Sequence, residues 1–370
     1  MKSLRTAYNV HVPPVKTDLR KHLCRAGNDA ILHDAMTRPN RHRITFIALV
    51  IFCSLLLSGQ NHGAEQAAKT RPVELSRFDF DTKNPDRKQF GALTLMGAFQ
   101  LNSKDKRFGG LSGLSIGTDG KLYAISDRGH WLSARIMHSD DGALENLVDW
   151  HIAPMLTPAK IPVAGSLVDA EAFSRDRDGS LLVAFEGRHR IWRYEPPPHT
   201  FASAPTPIAV PAELSRAPRN GGIEGLTTLP DGKLLALTEE FANPDGSFKG
   251  WLLDGNRFAG LSYLPAKGFR VTDCAALKNG DVLVLERRYV PVGVLSARLT
   301  LVDGKTIRPG GKLSGREILR IEHPLVVENF EGLAVQQTAH GAMIYLVSDD
   351  NYNPFQQTLL LQFLLSDSYH

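Results

Sequence analysis

An all-β propeller is the fold this sequence predicts, and three features predict it. Five stretches repeat one pattern at intervals of about fifty residues. Four of them carry an Asp-Gly or Asn-Gly dipeptide between two apolar runs, the signal of a tight hairpin. The 32 Gly and 22 Pro are spread along all 370 residues, which suits many short turns better than long helices.

The repeated units are 111–127 (LSGLSIGTDGKLYAISD), 170–186 (AEAFSRDRDGSLLVAFE), 223–239 (IEGLTTLPDGKLLALTE), 273–286 (DCAALKNGDVLVLE) and 330–350 (FEGLAVQQTAHGAMIYLVSDD). Each reads as an apolar strand, a turn ending in Gly, a second apolar strand and then an acid. Equivalent positions 112, 171, 224, 273 and 331 stand 59, 53, 49 and 58 residues apart, room for four strands per unit. The third unit places them at 223–229, 233–238, 250–253 and 257–265. The last unit supplies 359–365 as its third strand and lacks an outer one. The N-terminal run 92–101 (ALTLMGAFQL) is expected to fill that place, which would close the ring and leave no open edge. Five blades follow, with a sixth inside 287–328 as the alternative.

Each dipeptide, Asp119-Gly120, Asp178-Gly179, Asp231-Gly232 and Asn279-Gly280, is expected to form a two-residue type I′ turn, with His340-Gly341 in its place in the fifth unit. Counting outward from these tips sets Glu171 opposite Glu186, Glu224 opposite Glu239, Asp273 opposite Glu286, Glu331 opposite Asp350, and Ser112 opposite Asp127. Asp349 competes with Asp350, because the fifth turn has room to be longer. The fourth unit is one residue short, so without a bulge its acids point to the other face. The expectation is a crown of carboxylates at one mouth of the channel. Facing like charges destabilise a sheet, so a recurring set asks for a cation, a shared proton or a basic neighbour. Oxygen-only ligands favour a hard divalent cation such as Ca²⁺. The candidate metal ligands are Asp127, Glu171, Glu186, Glu224, Glu239, Glu331, Asp349 and Asp350. Arg128, Arg188 and Arg287 follow the second strands and are candidates for binding phosphate or carboxylate oxygens, or for salt bridges to the crown itself. Gly113-Leu114-Ser115-Ile116-Gly117 matches a nucleophile elbow, but it lies in a strand running into a hairpin, where the elbow needs a following helix. His130, His189 and His323 are candidate bases by residue type alone.

The first 64 residues read as a targeting region. Arg38, Arg41, His42 and Arg43 precede an apolar run at 44–57, shorter than the ~20 residues of a membrane-spanning helix. Cleavage after Ala64 or Ala68 would give a periplasmic or secreted protein with no stable membrane span. The alternative is an N-terminal anchor, and Met36 is a second candidate start that would make 1–35 an extension. Of three cysteines, Cys24 and Cys53 fall in this region and only Cys274 remains, so no disulfide within the mature chain is expected. Residues 1–64 hold nine Lys/Arg and three Asp/Glu, which leaves 34 basic and 36 acidic side chains for the rest. The body therefore lacks the basic field that nucleic-acid binding needs. Residues 65–89 read as a linker and 90–370 as one domain.

The motifs at 108–114 (FGGLSGL), 124–128 (AISDR), 169–172 (DAEA), 224–226 (EGL), 329–333 (NFEGL), 348–352 (SDDNY) and 357–360 (QTLL) resemble, in order and spacing, the phytase-like family with esterase-like activity. The resemblance covers roughly 90–370 and implies an exported bacterial propeller that hydrolyses phosphate or other esters. Position 172 is Ala where the family pattern has Gly; the acid before it is kept. On this reading Glu171, Glu224 and Glu239 are the candidate catalytic carboxylates and the substrate is a small ester or phosphate ester. Two alternatives stay open: a non-catalytic propeller that binds a ligand or protein, and a lactonase-like hydrolase.

Overall fold

The computed structural model describes residues 70–289 and 295–366, and these form five antiparallel blades around a channel, with four short 3-10 turns and no α-helix among the described residues. The apolar run at 44–57 expected to direct export, Cys24, Cys53, Ala64, Ala68 and Met36 lie outside the described residues.

Blade one is built from Leu111–Ile116, Lys121–Ser126, His130–His138 and Leu144–Pro154, counted from the channel outward. Blade two is Ala170–Arg175, Leu181–Phe185, Arg190–Tyr194 and Thr206–Ile208. Blade three is Ile223–Thr228, Leu234–Ala242, Phe248–Asp254 and Arg257–Tyr263, with the short strand Lys312–Leu313 added in parallel at its edge. Blade four is Arg270–Ala276, Val282–Arg288, Ser296–Val302 and Arg316–Ile321. The segment that offered a sixth blade is thus divided between blades three and four. The apolar residues of each strand alternate across its two faces, so every blade buries both sides. The core is five apolar clusters, one in each gap between neighbouring blades.

Blade five runs Phe330–Thr338, Gly341–Ser348, Thr358–Ser366 and then the N-terminal strand Leu93–Ser103. The ring closes as expected: Thr358 faces Leu101 and Leu365 faces Leu93 in an antiparallel ladder. A bulge between Leu95 and Gly97 switches the faces of the closing strand. Leu93 and Leu95 therefore join the core between blades four and five, while Phe99 and Leu101 join that between blades five and one. The described part of the expected linker, residues 70–89, carries strands of its own. Its Val73–Arg77 pairs outside the closing strand, and its Gln89–Phe90 forms a small hairpin with Leu93 and Thr94. Alternation explains this, because Val73 and Phe90 bury in the two flanking cores.

The turns differ from type I′. In blade two Asp176 N donates to Ser180 O and Gly179 N to Asp176 O, a three-residue loop that recurs at Gly117–Lys121, Leu229–Lys233 and Leu277–Asp281. In each dipeptide only the glycine is left-handed, with φ of +73°, +87°, +91° and +95° at Gly120, Gly179, Gly232 and Gly280. Type I′ needs two such residues, so a type I turn followed by one left-handed glycine forms instead. This moves those four registers by one, and in blade five the loop is Ala339-His340 rather than His340-Gly341, with Thr338 facing Gly341, which moves that register by two. A β-bulge on the inner strand at the opposite end of each hairpin, at Ser112, Glu171, Glu224, Thr272 and Glu331, moves the register again. The acids of a pair are therefore staggered rather than directly opposed.

Candidate functional site at the acidic mouth

The five bulges fall at the same end of the channel, one on the inner strand of each blade. Counting eight residues back from the turn glycine gives Ser112, Glu171, Glu224 and Thr272, and counting seven forward gives Asp127, Glu186, Glu239 and Arg287. In blade five the bulge gives Glu331, and Asp349 takes the second position. Its N–H donates to Asn329 O as Glu186 N donates to Asp169 O and Glu239 N to Gly222 O. Seven of the eight expected metal-binding acids meet at this mouth.

Asp350 is the exception. It turns outward and accepts from Gly110 N (2.9 Å), Tyr352 N (3.0 Å) and Thr358 Oγ1 (3.1 Å). Its three donors make it a clasp between the last blade and the first. The fourth pair is also corrected. Asp273 is wholly buried and accepts from Leu333 N (2.7 Å) and Cys274 N (2.7 Å), tying blade four to blade five. Glu286 is wholly buried against Arg298 (2.6 Å) and the Tyr263 hydroxyl. The missing residue in that unit puts Thr272 and Arg287 where blades two and three carry acids at both positions.

The two hydroxyl positions stitch blades together: Ser112 Oγ donates to Ala170 O (2.5 Å) and Thr272 Oγ1 to Phe330 O (3.1 Å). Ser115 lies lower on the same inner strand, with no helix after it, so no nucleophile elbow forms. The other end of the channel opens into a cavity of about 370 Å³ at the hairpin tips, lined by Ser115, Phe173, Arg175, Leu226 and Lys278, where among the described residues no group of three acids converges.

Arg287 is the one cation embedded in the crown among the described residues. Its guanidinium donates to Glu331 and Asn329 and reaches Glu239 at 3.5 Å. Replacing it by Leu removes the cation from two largely buried carboxylates, leaving Glu331 with the Asn329 amide alone, and is expected to cost about 3 kcal/mol in thermal unfolding. Adding Glu331→Gln should recover part of that loss, and equal stability of Arg287→Leu and wild type would remove Arg287 from this role. Arg188 is exposed on the loop beyond Glu186, and Arg128 lies exposed on the rim. His189 approaches the glycine pair beside the crown, its Nε2 within 2.9 Å of Pro218 O.

Burial and mutual repulsion set the protonation of the mouth. Glu171 is held well above the ordinary carboxylate range by burial and by Glu331, Glu186, Asp169 and Asp127. Glu224 is raised in the same way, by burial and then by Glu171, Glu186, Glu239 and Glu331. Burial lifts Asp127 to about 6 and Asp349 to about 9. Glu239 is lifted to about 7 by burial, against the pull of Arg287. Burial also raises Glu186, although Gly222 and Gly221 N–H groups donate to its carboxylate.

The residue that the sequence pattern missed is Asp169. Carboxylate oxygens of Asp169, Glu171 and Glu186 all lie within 4.8 Å of one another. Asp169 comes just before the strand, where the count from the turn glycine does not reach. The bulge at Glu171 brings it back beside Glu186. Oxygens so spaced can reach one cation with bonds of about 2.4 Å, the range of Ca²⁺.

Fold and mouth together define a five-bladed propeller with an acidic, desolvated site at one end of its channel. The chain belongs to the phytase-like family (esterase-like activity of phytase), whose model matches residues 106–352. No curated protein matches the sequence. Among solved structures, the chain is similar to a protein described as a gluconolactonase (14% identity, 79% of this chain and 92% of that one, TM-score 0.38). It is also similar to virginiamycin B lyase from Staphylococcus aureus (10% identity, 80% and 100%, TM-score 0.37) and to a glucose dehydrogenase (14% identity, 79% and 95%, TM-score 0.32).

Proposed function

We propose that the protein is an exported hydrolase of ester or phosphoric-ester bonds, working at the acidic mouth with a divalent cation held by Asp169, Glu171 and Glu186. The observation that carries this reading is the convergence of those three carboxylates at a site where burial raises Glu171 and Glu186 above the ordinary carboxylate range. The oxygen-only donor set favours Ca²⁺ over softer metals. When bound, such an ion supplies Lewis-acid polarisation of an ester or phosphoryl oxygen. Glu239, at about 7, is suited to take a proton from an attacking water and return one to the leaving group near neutral pH. Arg287 tunes it by holding that carboxylate lower than burial alone would. Glu224 sits among Glu171, Glu186 and Glu239 and serves as a second proton carrier. Family membership supports the ester class, and the basic–apolar N-terminus supports export. Among the described residues no helix is long and apolar enough to cross a membrane.

The test uses protein recovered from the periplasm, whose mass should lack roughly the first 60–70 residues. Ca²⁺ at about 100 times its dissociation constant should stabilise wild type by about 2.7 kcal/mol, and Glu171→Gln should lose most of that response together with hydrolysis of aryl esters and phosphates. Stabilisation by Ca²⁺ without hydrolysis of any ester would favour the binding-propeller reading. No response to any divalent ion would defeat the metal site, and a full-length cytoplasmic product would defeat export.

A further inference from the structure

We infer that Arg128, stacked on Tyr352, is the oxyanion clamp of this mouth, and that Tyr352 is a positioning residue built to hold it. The inference deepens the hydrolase reading by naming the substrate as an anionic ester, one that carries a phosphate or carboxylate group. Arg128 lies beside Asp127 on the rim between the last blade and the first. Its guanidinium carbon sits 3.4 Å from the centre of the Tyr352 ring. Arg287 is occupied by carboxylates, whereas Arg128, exposed, has no ion pair among the described residues. A fork held over an aromatic ring keeps N–H groups available at its edge and has less rotamer freedom left to lose on binding.

The support under Tyr352 is specific. Asn351 and Tyr352 both have φ of +49°, a left-handed backbone that non-glycine residues adopt only at a cost. Asp350 stabilises that turn by accepting from Tyr352 N at 3.0 Å, and it anchors the turn to Gly110 N at 2.9 Å. The ring rests on a floor of two glycines: a Cβ on Gly110 would stand 2.4 Å from Tyr352 Cε2, and one on Gly109 3.2 Å from Cδ1. Strain, clasp and floor all serve one placement, a ring beneath an arginine at the edge of the mouth. An acidic mouth repels anions, and a preset guanidinium on its rim offsets that repulsion for a substrate with an oxyanion at the right distance from the scissile bond.

Calorimetric titration with phenyl phosphate and with benzoate, each in the presence of Ca²⁺, tests the clamp and tells the two oxyanions apart. Wild type should bind at least one of them. Arg128→Gln should weaken that binding by about tenfold or more, with Arg128→Lys between the two. Tyr352→Leu should weaken it several-fold and Tyr352→Phe should restore it, a rescue that loss of folding would not allow. Stabilisation by Ca²⁺ should persist in Arg128→Gln, which removes no metal ligand. Wild type that binds neither anion, or Arg128→Gln that binds as tightly as wild type, would overturn the clamp. Binding as expected without hydrolysis of any ester would leave the clamp standing and bring down the hydrolase reading alone.

Discussion

Deleting residues 70–103 is expected to abolish cooperative unfolding and to send the protein into aggregates. The deletion removes three strands of blade five, Val73–Arg77, Gln89–Phe90 and the closing strand, and with them Leu93, Leu95, Phe99 and Leu101, all nearly or wholly buried. At about 1.5–3 kcal/mol for each such side chain, the loss is about 6–12 kcal/mol. That is comparable to the roughly 5–15 kcal/mol by which whole domains are stable. The loss also falls in two places. The closing strand buries one half of its length in the core between blades four and five and the other half in the core between five and one. Without it, Thr358–Ser366 becomes an exposed apolar edge, the template for association with other chains. Differential scanning calorimetry with light scattering checks this. A soluble truncated protein with an unchanged midpoint would show that the ring is not closed by this strand.

The second large effect is on pH. With a chelator present, stability should fall as pH rises from about 5 to about 9, opposite to the usual behaviour of acidic proteins. The sign follows from the crown. Glu239 and Asp349 are lifted to about 7 and about 9, and Glu171 and Glu224 are raised as well. Between the ordinary carboxylate range and these values, the folded protein keeps protons that the unfolded chain has given up. Each such group therefore lowers stability by about 1.4 kcal/mol per pH unit across its window, and the loss stops once pH passes its folded value. Asp105 acts in the other direction. Hydrogen bonding from Arg107 holds it well below the ordinary range, so its contribution is present above about pH 4 and is lost in stronger acid. The metal-free protein should accordingly be most stable near pH 4–5. Saturating Ca²⁺ should flatten the alkaline decline, because the ion replaces the protons that the crown otherwise holds. Chemical unfolding at unit steps of pH, with chelator and with Ca²⁺, measures both. Metal-free stability that is flat or rising between pH 5 and 9 would mean that the crown is hydrated and ionised.

Sequence by itself determined the blades, the closing strand and the end of the channel at which acids gather. Those features depend on alternation along a strand and on the turn glycines, and both are local. Asp178-Gly179 marks a hairpin whatever surrounds it, and an acid seven residues beyond that glycine falls at the far end of the second strand. Tertiary structure decided which acids share the mouth. The stagger of Glu171 and Glu186 depends on the handedness of one turn residue, Gly179, and on a bulge eight positions before it, neither of which the residue types dictate. In the fourth blade, counting from the turn glycine gives Thr272 and Arg287, while counting by acid chemistry gives Asp273 and Glu286. Only the packing of Arg298 on Glu286, and of Leu333 on Asp273, shows that the second pair is structural. Asp169 joins the site because the bulge folds it back, and Arg287 joins because Glu331 arrives from the next blade. Contacts between blades more than forty residues apart carry no local signature. Here they determine which carboxylates meet, which of them share the Arg287 guanidinium and where Arg128 is held on the rim.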